Sequence, residues 1–268
     1  MKKIKELMDL SGRTALVTGG AGHIGLAVLE ALMELGAKTV VWDIADGVCR
    51  ARCEDLNSSG YGARACPFAV DLEDESAVRL GVRRTAETLG GIDIIVHSAA
   101  LVGTTDLPGW GVPFKEQTLV AWDKAMKVNL SSAFIIAQEA EPFLKKSKKS
   151  SVILISSIHG AIAPDNRLYE GTRMTSPAAY GVSKAGLTQL ARYLATTLAP
   201  EVRVNSIVSG GVWRGQDVRF HERYNERTPL GRMAVEEDLK GAVAYLASDL
   251  SAYVTGTQIV VDGGYTAW

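Results

Sequence analysis

Cysteine is scarce in this chain. There are three, Cys49, Cys53 and Cys66, in 268 residues. An odd number without paired metal spacing speaks against a disulfide framework or a zinc site, and for reduced thiols in or near a core. An excess of one charge is also missing, since 29 basic side chains meet 30 acidic ones. That balance argues against a nucleic-acid or membrane-surface protein, which would carry a basic excess. No apolar run reaches the ~18 residues needed to span a bilayer. The first residues, Met1-Lys2-Lys3-Ile4-Lys5-Glu6, are charged and no apolar signal region follows. The expected location is therefore the cytoplasm. Repeats and low-complexity tracts are lacking. The one charge run, from Lys145 to Lys149, reads as a solvated turn before a strand.

What is present is alternation. Short aliphatic, strand-like runs occur at 14–18, 39–42, 64–69, 92–97, 151–155, 203–207 and 258–261. They are continuous rather than alternating, as expected of strands covered on both faces. Helix-length stretches separate them. In 24–35, Ile24, Ala27, Val28, Ala31 and Leu35 form one apolar stripe, and Gly36 stops it. Strand–helix repetition predicts one doubly wound α/β domain over residues 1–268 with a largely parallel sheet. Ligands of such sheets bind at the carboxyl ends of the strands. Two connections there, 101–118 and 163–177, are long enough to suggest function.

The first strand exit is rich in glycine: Thr18-Gly19-Gly20-Ala21-Gly22-His23-Ile24-Gly25. Glycines there let the backbone turn tightly against a pyrophosphate while helix-start N–H groups point at it. Asp43 ends the second strand, 24 residues after Gly19. A carboxylate at that place accepts both hydroxyls of an adenosine ribose and repels a 2′-phosphate. Residue 44 is Ile, which offers no offsetting cation. The expected cofactor is NAD(H). Asp71, after the third strand, is a candidate for the adenine edge or for the cap of the next helix.

Tyr180-Gly181-Val182-Ser183-Lys184 carries the candidate chemistry. Ser176 is placed to cap a helix and Pro177 suits its first position. Tyr180 and Lys184 then share one helix face. A cation ~4 Å from the phenol, at an effective dielectric of about 20, is worth about 4 kcal/mol, or roughly three pK units. That would bring the phenol toward a working pH. Ser156 and Ser157 close the preceding strand, where a hydroxyl is able to meet a substrate carbonyl.

With these motifs in this order, the sequence from about Ser11 to Tyr265 resembles the short-chain dehydrogenase/reductase (SDR) family. The resemblance implies a Rossmann fold with a seven-stranded, mostly parallel sheet in the order 3-2-1-4-5-6-7. It implies a catalytic tetrad of Asn129, Ser157, Tyr180 and Lys184. Tyr180 would move the proton and Ser157 orient the carbonyl. Lys184 would lower the phenol pKa and grip the nicotinamide ribose, and Asn129 would hold a water linking Lys184 to solvent. Cofactor contacts are implied at Gly19, Gly22, His23, Ile24 and Gly25, then at Asp43, Asp71, Leu72 and Ala99, then at Tyr180, Lys184, Gly211 and Val212. A homodimer or homotetramer is implied as well.

The pattern has departures. The first turn reads Thr-Gly-x-x-Gly-x-x-Gly, with His23 where the common short form has glycine, and His97-Ser98-Ala99-Ala100 replaces Asn-Asn-Ala-Gly. Both resemble longer sugar-nucleotide epimerases and dehydratases, so an NAD-retaining epimerase or dehydratase is an alternative, as is a generic 3-oxoacyl or ketone reductase. Ser209 stands where the family usually has proline, which suggests a less rigid loop. Ser157 and Tyr180 are 23 residues apart, wider than the usual spacing. The inserted segment is polar and argues against a fatty acyl or steroid pocket. Arg167 and Arg173 within it are candidates to clamp a phosphate or carboxylate, or are surface ion pairs. His159 is a candidate substrate contact. Tyr169 lacks a lysine four residues on. Residues 168–177 also resemble a subset of SDR enzymes linked to bacterial surface-glycan or flagellin sugar modification. Loops 101–118, 159–177 and 209–234 are the expected substrate loops. Segment 213–230, with Arg214, Arg219 and Arg223, is read as a lid or as an ordinary surface helix. The expected activity is NAD(H)-dependent interconversion of a secondary alcohol and a ketone on a polar, sugar-like small molecule. No nucleic-acid or membrane partner is expected.

Overall fold

The structure is a computed structural model, and it describes residues 1–61, 64–103, 105–147 and 149–268. Lys148 of the basic run and Thr104 of the first long loop therefore lie outside the described residues. Seven strands form one sheet: β1 (Thr14–Thr18), β2 (Lys38–Asp43), β3 (Ala65–Ala69), β4 (Ile94–His97), β5 (Ser150–Ser157), β6 (Val202–Ser209) and β7 (Gln258–Val261). Their order is β3-β2-β1-β4-β5-β6-β7. Every pairing among them is parallel. This is the single Rossmann domain expected from the alternating pattern. Strands β5 and β6 run longer than their aliphatic cores, because Ser156–Ser157 and Val208–Ser209 continue the ladder. Strand β4 is shorter than its apolar run and starts at Ile94.

Helices cover both faces. They are α1 (Ile4–Met8), α2 (His23–Glu34), α3 (Asp46–Ser58), α4 (Glu75–Leu89), α5 (Leu119–Met126), α6 (Ser132–Ser147), α7 (Ala178–Thr197), α8 (Val218–Arg227) and α9 (Lys240–Ala247). Strand β1 shows how the two cores form. Ala15 and Val17 face one side with Val28 and Leu32 of α2 and Leu246 of α9. Leu16 faces the other with Val82 of α4, Ile136 of α6 and Leu187 of α7. A strand alternates its side chains, so a strand buried on both faces must be apolar at every position. No described helix is long and apolar enough to cross a membrane.

Two expected caps fall elsewhere. Helix α4 is capped by Asp74, whose carboxylate accepts Ser76 N and Ala77 N. Asp71 instead accepts Glu73 N and borders a cavity. Helix α7 takes Pro177, not Ser176, as its N-cap. The Ser176 hydroxyl lies 3.3 Å from His159 Nδ1. Proline presets the extended backbone at that position, so no side-chain cap is used.

Candidate active site

The sheet reverses its winding between β1 and β4, and the exits of these strands leave a crevice there. A cavity of about 440 Å³ lies over the β1, β2 and β3 exits. It runs along Gly19, Gly22 and Gly25, then Asp43, Asp71 and Leu72. A second cavity of about 700 Å³ opens over the β5 and β6 exits. Ser157, His159, Tyr180, Lys184, Gly211 and Val212 border it. His23, Ile24 and Arg214 border both, so the two cavities form one cleft.

The glycine-rich turn is shaped for close backbone approach. Gly19 has φ +64°, and a Cβ at Gly25 would lie 2.0 Å from the Gly19 carbonyl oxygen. Gly22 caps α2 without a side-chain partner, leaving the first N–H groups of α2 facing the cleft. Asp43 accepts Ala21 N at 3.2 Å. The residues present therefore fit a dinucleotide, with backbone donors for its pyrophosphate and a carboxylate for a ribose. Thr18 anchors this end. Its hydroxyl accepts Ser98 N and Ala99 N and donates to His97 Nδ1 at 3.0 Å. Burial pushes His97 down to about 3, so this imidazole is neutral and able to accept.

The tetrad is brought together by β5, α7 and the junction of α5 and α6. Ser156 and Ser157 point to different duties. Ser156 donates to the Lys184 carbonyl at 2.7 Å and fixes α7 to the strand. Ser157 borders the cleft, and its hydroxyl accepts His159 N at 3.2 Å. Asn129 sits in a π-helical turn, Lys127–Ser131, and is fully buried. Its side chain accepts Leu101 N at 2.7 Å and donates to Ser183 Oγ at 3.0 Å. Insertions of this kind often mark functional sites.

Burial acts on both members of the Tyr180–Lys184 pair. Burial pushes the Tyr180 phenol up, and the Ser157 hydroxyl and the Arg214 charge pull it back. Lys184 Nζ lies 5.8 Å from the centre of the Tyr180 ring and donates to Ile155 O at 2.8 Å. Burial drives Lys184 itself down to about 8. Desolvation disfavours the charged form of each group, and the buried Lys184 amine is held by a carbonyl of β5.

The inserted arginines do not reach the cleft. Arg167 pairs with Asp165 at 2.7 Å with its side chain 77% exposed. Neither Arg167 nor Arg173 borders either of the two cavities. Leu168, Tyr169 and Met174 of the same segment do. Tyr169 packs on Phe220, and burial raises its phenol to about 12. His159 packs edge-on to Tyr180 with centroids 6.0 Å apart, and burial lowers it to about 4.

Two residues that spacing alone does not single out shape the cavity bordered by Tyr180. The Tyr224 hydroxyl accepts Gly211 N at 2.6 Å. Arg214, in the segment expected as a lid or surface helix, borders the same cavity as Tyr180, and its charge favours the phenolate. The loop after β6 is tied to residue 234 by two backbone hydrogen bonds. Trp213 N donates to Ala234 O, and Ala234 N donates to Gly211 O.

A family model described as Enoyl-(Acyl carrier protein) reductase matches residues 19–266. The chain is 31% identical to the sorbose reductase of Schizosaccharomyces pombe, covering 97% of this chain and 98% of the relative. It belongs to the short-chain dehydrogenase/reductase family. Another SDR relative, the cis-4-hydroxycyclohexanecarboxylate dehydrogenase of Sinomonas cyclohexanicum, is 31% identical over 95% of this chain and 97% of its own. Among solved structures, a gluconate 5-dehydrogenase from Burkholderia cenocepacia in complex with NADP and tartrate superposes with a TM-score of 0.87. It is 25% identical and covers 99% of this chain and 100% of that one. As an SDR enzyme, the protein is an oxidoreductase acting on CH–OH groups with a nicotinamide dinucleotide.

Proposed function

We propose that this SDR enzyme is NAD(H)-dependent and interconverts a secondary alcohol and a ketone on a polar, sugar-like substrate, with Tyr180 as general acid–base. The carrying observation is the convergence of Ser157, Tyr180 and Lys184 on a cavity continuous with the glycine-rich turn. The bound dinucleotide supplies a hydride acceptor or donor at its nicotinamide ring. Tyr180 takes the alcohol proton in oxidation and returns it in reduction. Ser157 orients the substrate oxygen. Lys184, held from behind by Ile155 O, is aimed to grip the nicotinamide ribose. Asn129 holds a water that links Lys184 to solvent, its side chain being fixed by Leu101 and Ser183.

Gly19, Gly22, His23, Ile24 and Gly25 cradle the pyrophosphate in this reading. Asp43 takes the adenosine ribose hydroxyls, with Asp71 and Leu72 at the adenine and Ala99 at the turn beside Gly19. Gly211 and Val212 meet the nicotinamide. The Asp43 carboxylate supports NAD(H) over NADP(H) by repelling a 2′-phosphate. Loops 101–118, 159–177 and 209–234 enclose the substrate, and His159 is the nearest imidazole to it. The relatives named for sorbose, a hydroxylated carboxylic acid and gluconate support a polyhydroxylated or hydroxy-acid substrate. A place in bacterial surface-glycan or flagellin sugar modification rests on the segment 168–177, whose Leu168 and Met174 border the cavity. Cytoplasmic location and a homodimer or homotetramer complete the proposal. Exposed Leu119 and Val120 on α5 and Val182 and Tyr193 on α7 support the assembly.

The test is Tyr180→Phe. Turnover with NAD should fall about 10²- to 10⁴-fold, while NADH binding by fluorescence titration persists. Undiminished turnover would remove Tyr180 from the reaction.

A further inference from the structure

Most cations near the cleft are already engaged. Lys184 Nζ donates to Ile155 O. Arg219 is held by Asp217 through two nitrogens at 3.2 Å. Arg223 donates to the carbonyls of Arg167, Leu168 and Glu170. Arg227 and Arg167 both sit on Asp165. Arg214 is different. It borders both cavities with its side chain 30% exposed. Its one acidic neighbour is Glu236, whose Oε1 lies 3.7 Å from Nε and 3.2 Å from His23 Nδ1. Among the described residues, its two terminal nitrogens have no hydrogen-bond partner.

The backbone beneath it is fixed. Arg214 N donates to Gln216 Oε1 at 2.7 Å, and Gln216 Nε2 donates to Val212 O at 2.8 Å. The guanidinium is thus a planar fork on a braced turn where the two cavities meet, the larger of them bordered also by Tyr180. The other charged groups bordering the catalytic cavity are Lys184 and Asp217, and Asp217 is neutralised by Arg219. His159 is kept neutral by burial near physiological pH. The free charge facing the substrate space is therefore positive.

We infer that Arg214 is an anion-binding residue of the catalytic cavity, receiving a carboxylate or phosphate group of the substrate next to Tyr180. The inference rests on the alcohol–ketone reading above and narrows its substrate class to anionic sugars or hydroxy acids. A guanidinium fork matches either oxyanion bidentately, and Glu236 steadies the fork through Nε without occupying its tip. Arg167 and Arg173, the cations that the sequence offered for this purpose, lie outside the cavity.

The experiment compares wild type, Arg214→Gln and Arg214→Lys on matched probes with NAD and NADP. Gluconate is set against glucitol, and glucose 6-phosphate against glucose. Wild type should favour an anionic member. In Arg214→Gln the ratio of kcat/KM for anionic over neutral substrate should fall about 10- to 100-fold, and Arg214→Lys should recover part of it. The pair that shows the drop distinguishes carboxylate from phosphate. An equal loss on both members overturns the assignment. So does an unchanged ratio with dinucleotide affinity weakened tenfold or more, which would give the guanidinium to the cofactor. Wild-type turnover of the neutral members alone sinks this inference and leaves the redox reading standing. Turnover of neither class sinks both.

Discussion

The Tyr224 hydroxyl accepts the Gly211 amide at 2.6 Å, joining helix α8 to the loop that borders the Tyr180 end of the cleft. Gly211 also packs tightly, since a Cβ there would lie 2.8 Å from Met233 Cε and 3.0 Å from the Tyr224 ring. Tyr224→Phe leaves a part-buried amide without its partner, at a cost of about 1–3 kcal/mol. The expected result is a several-fold weaker NADH affinity by fluorescence titration. The melting temperature should drop by about 2–4 °C per kcal/mol lost. An unchanged affinity would mean that the loop is held by the Ala234 strap alone.

A second tie links α8 to the inserted segment. Arg223 Nη1 lies 2.6 Å from Glu170 O and within reach of two further carbonyls. Residues 163–177 and 213–230 should therefore open as one unit. Arg223→Ala should raise hydrogen exchange in both segments together while the sheet stays protected. Exchange that rises in one segment only would show that they move independently.

Asp165 anchors the same unit by pairing with Arg167 and Arg227. The Arg167 hydrogen bonds, ahead of the other contacts, hold its carboxyl down at about 2. A carboxyl lowered on folding stabilises above its unfolded pKa near 4, and that stability is lost as pH falls toward 2. Acidification from pH 4 to 2 should therefore loosen segment 163–177, measured by proteolysis or exchange. Asp165→Asn should remove that pH dependence.

The pH profile of alcohol oxidation should follow the phenol. Burial raises Tyr180, so the fraction of phenolate grows with pH, and oxidation should climb from pH 7 toward 10. Ketone reduction, which needs the protonated phenol, should stay level over the lower part of that range. His159, at about 4, should contribute no limb between pH 6 and 8. A limb near 6.5 that disappears in His159→Gln would contradict its burial.

Asp43 should control the choice of dinucleotide. Its carboxylate borders the cavity at the end of β2 and receives the Ala21 amide. Asp43→Ser should narrow the NAD over NADP preference by about tenfold, the loss of roughly one charged hydrogen bond. Equal affinities of wild type for the two dinucleotides would remove this role from Asp43.

Strand β1 and the turn after it were legible in the sequence, because their chemistry is local. An apolar run buried on both faces, a glycine turn and a helix stripe are fixed by neighbours in the chain. The spacing of Tyr180 and Lys184 was legible for the same reason, as one helical turn. Their electrostatics were not. Whether Lys184 acidifies the phenol depends on where its amine finds an acceptor, and that acceptor, Ile155 O, belongs to another strand. The cap of α7 falls one position after Ser176, at Pro177, because neighbouring residues are competent for the same place.

The amino-acid order by itself determined the layered sheet, the glycine-rich turn and the spacing of Tyr180 and Lys184. Tertiary structure decided which arginine faces the cleft. Arg167, Arg214, Arg219 and Arg223 are equal as residue types, and long-range packing alone sorts them. Three are taken up by a carboxylate or by carbonyls, and Arg214 is left pointing into the cleft. A charge is free only in relation to the groups around it, and those groups are far away along the chain.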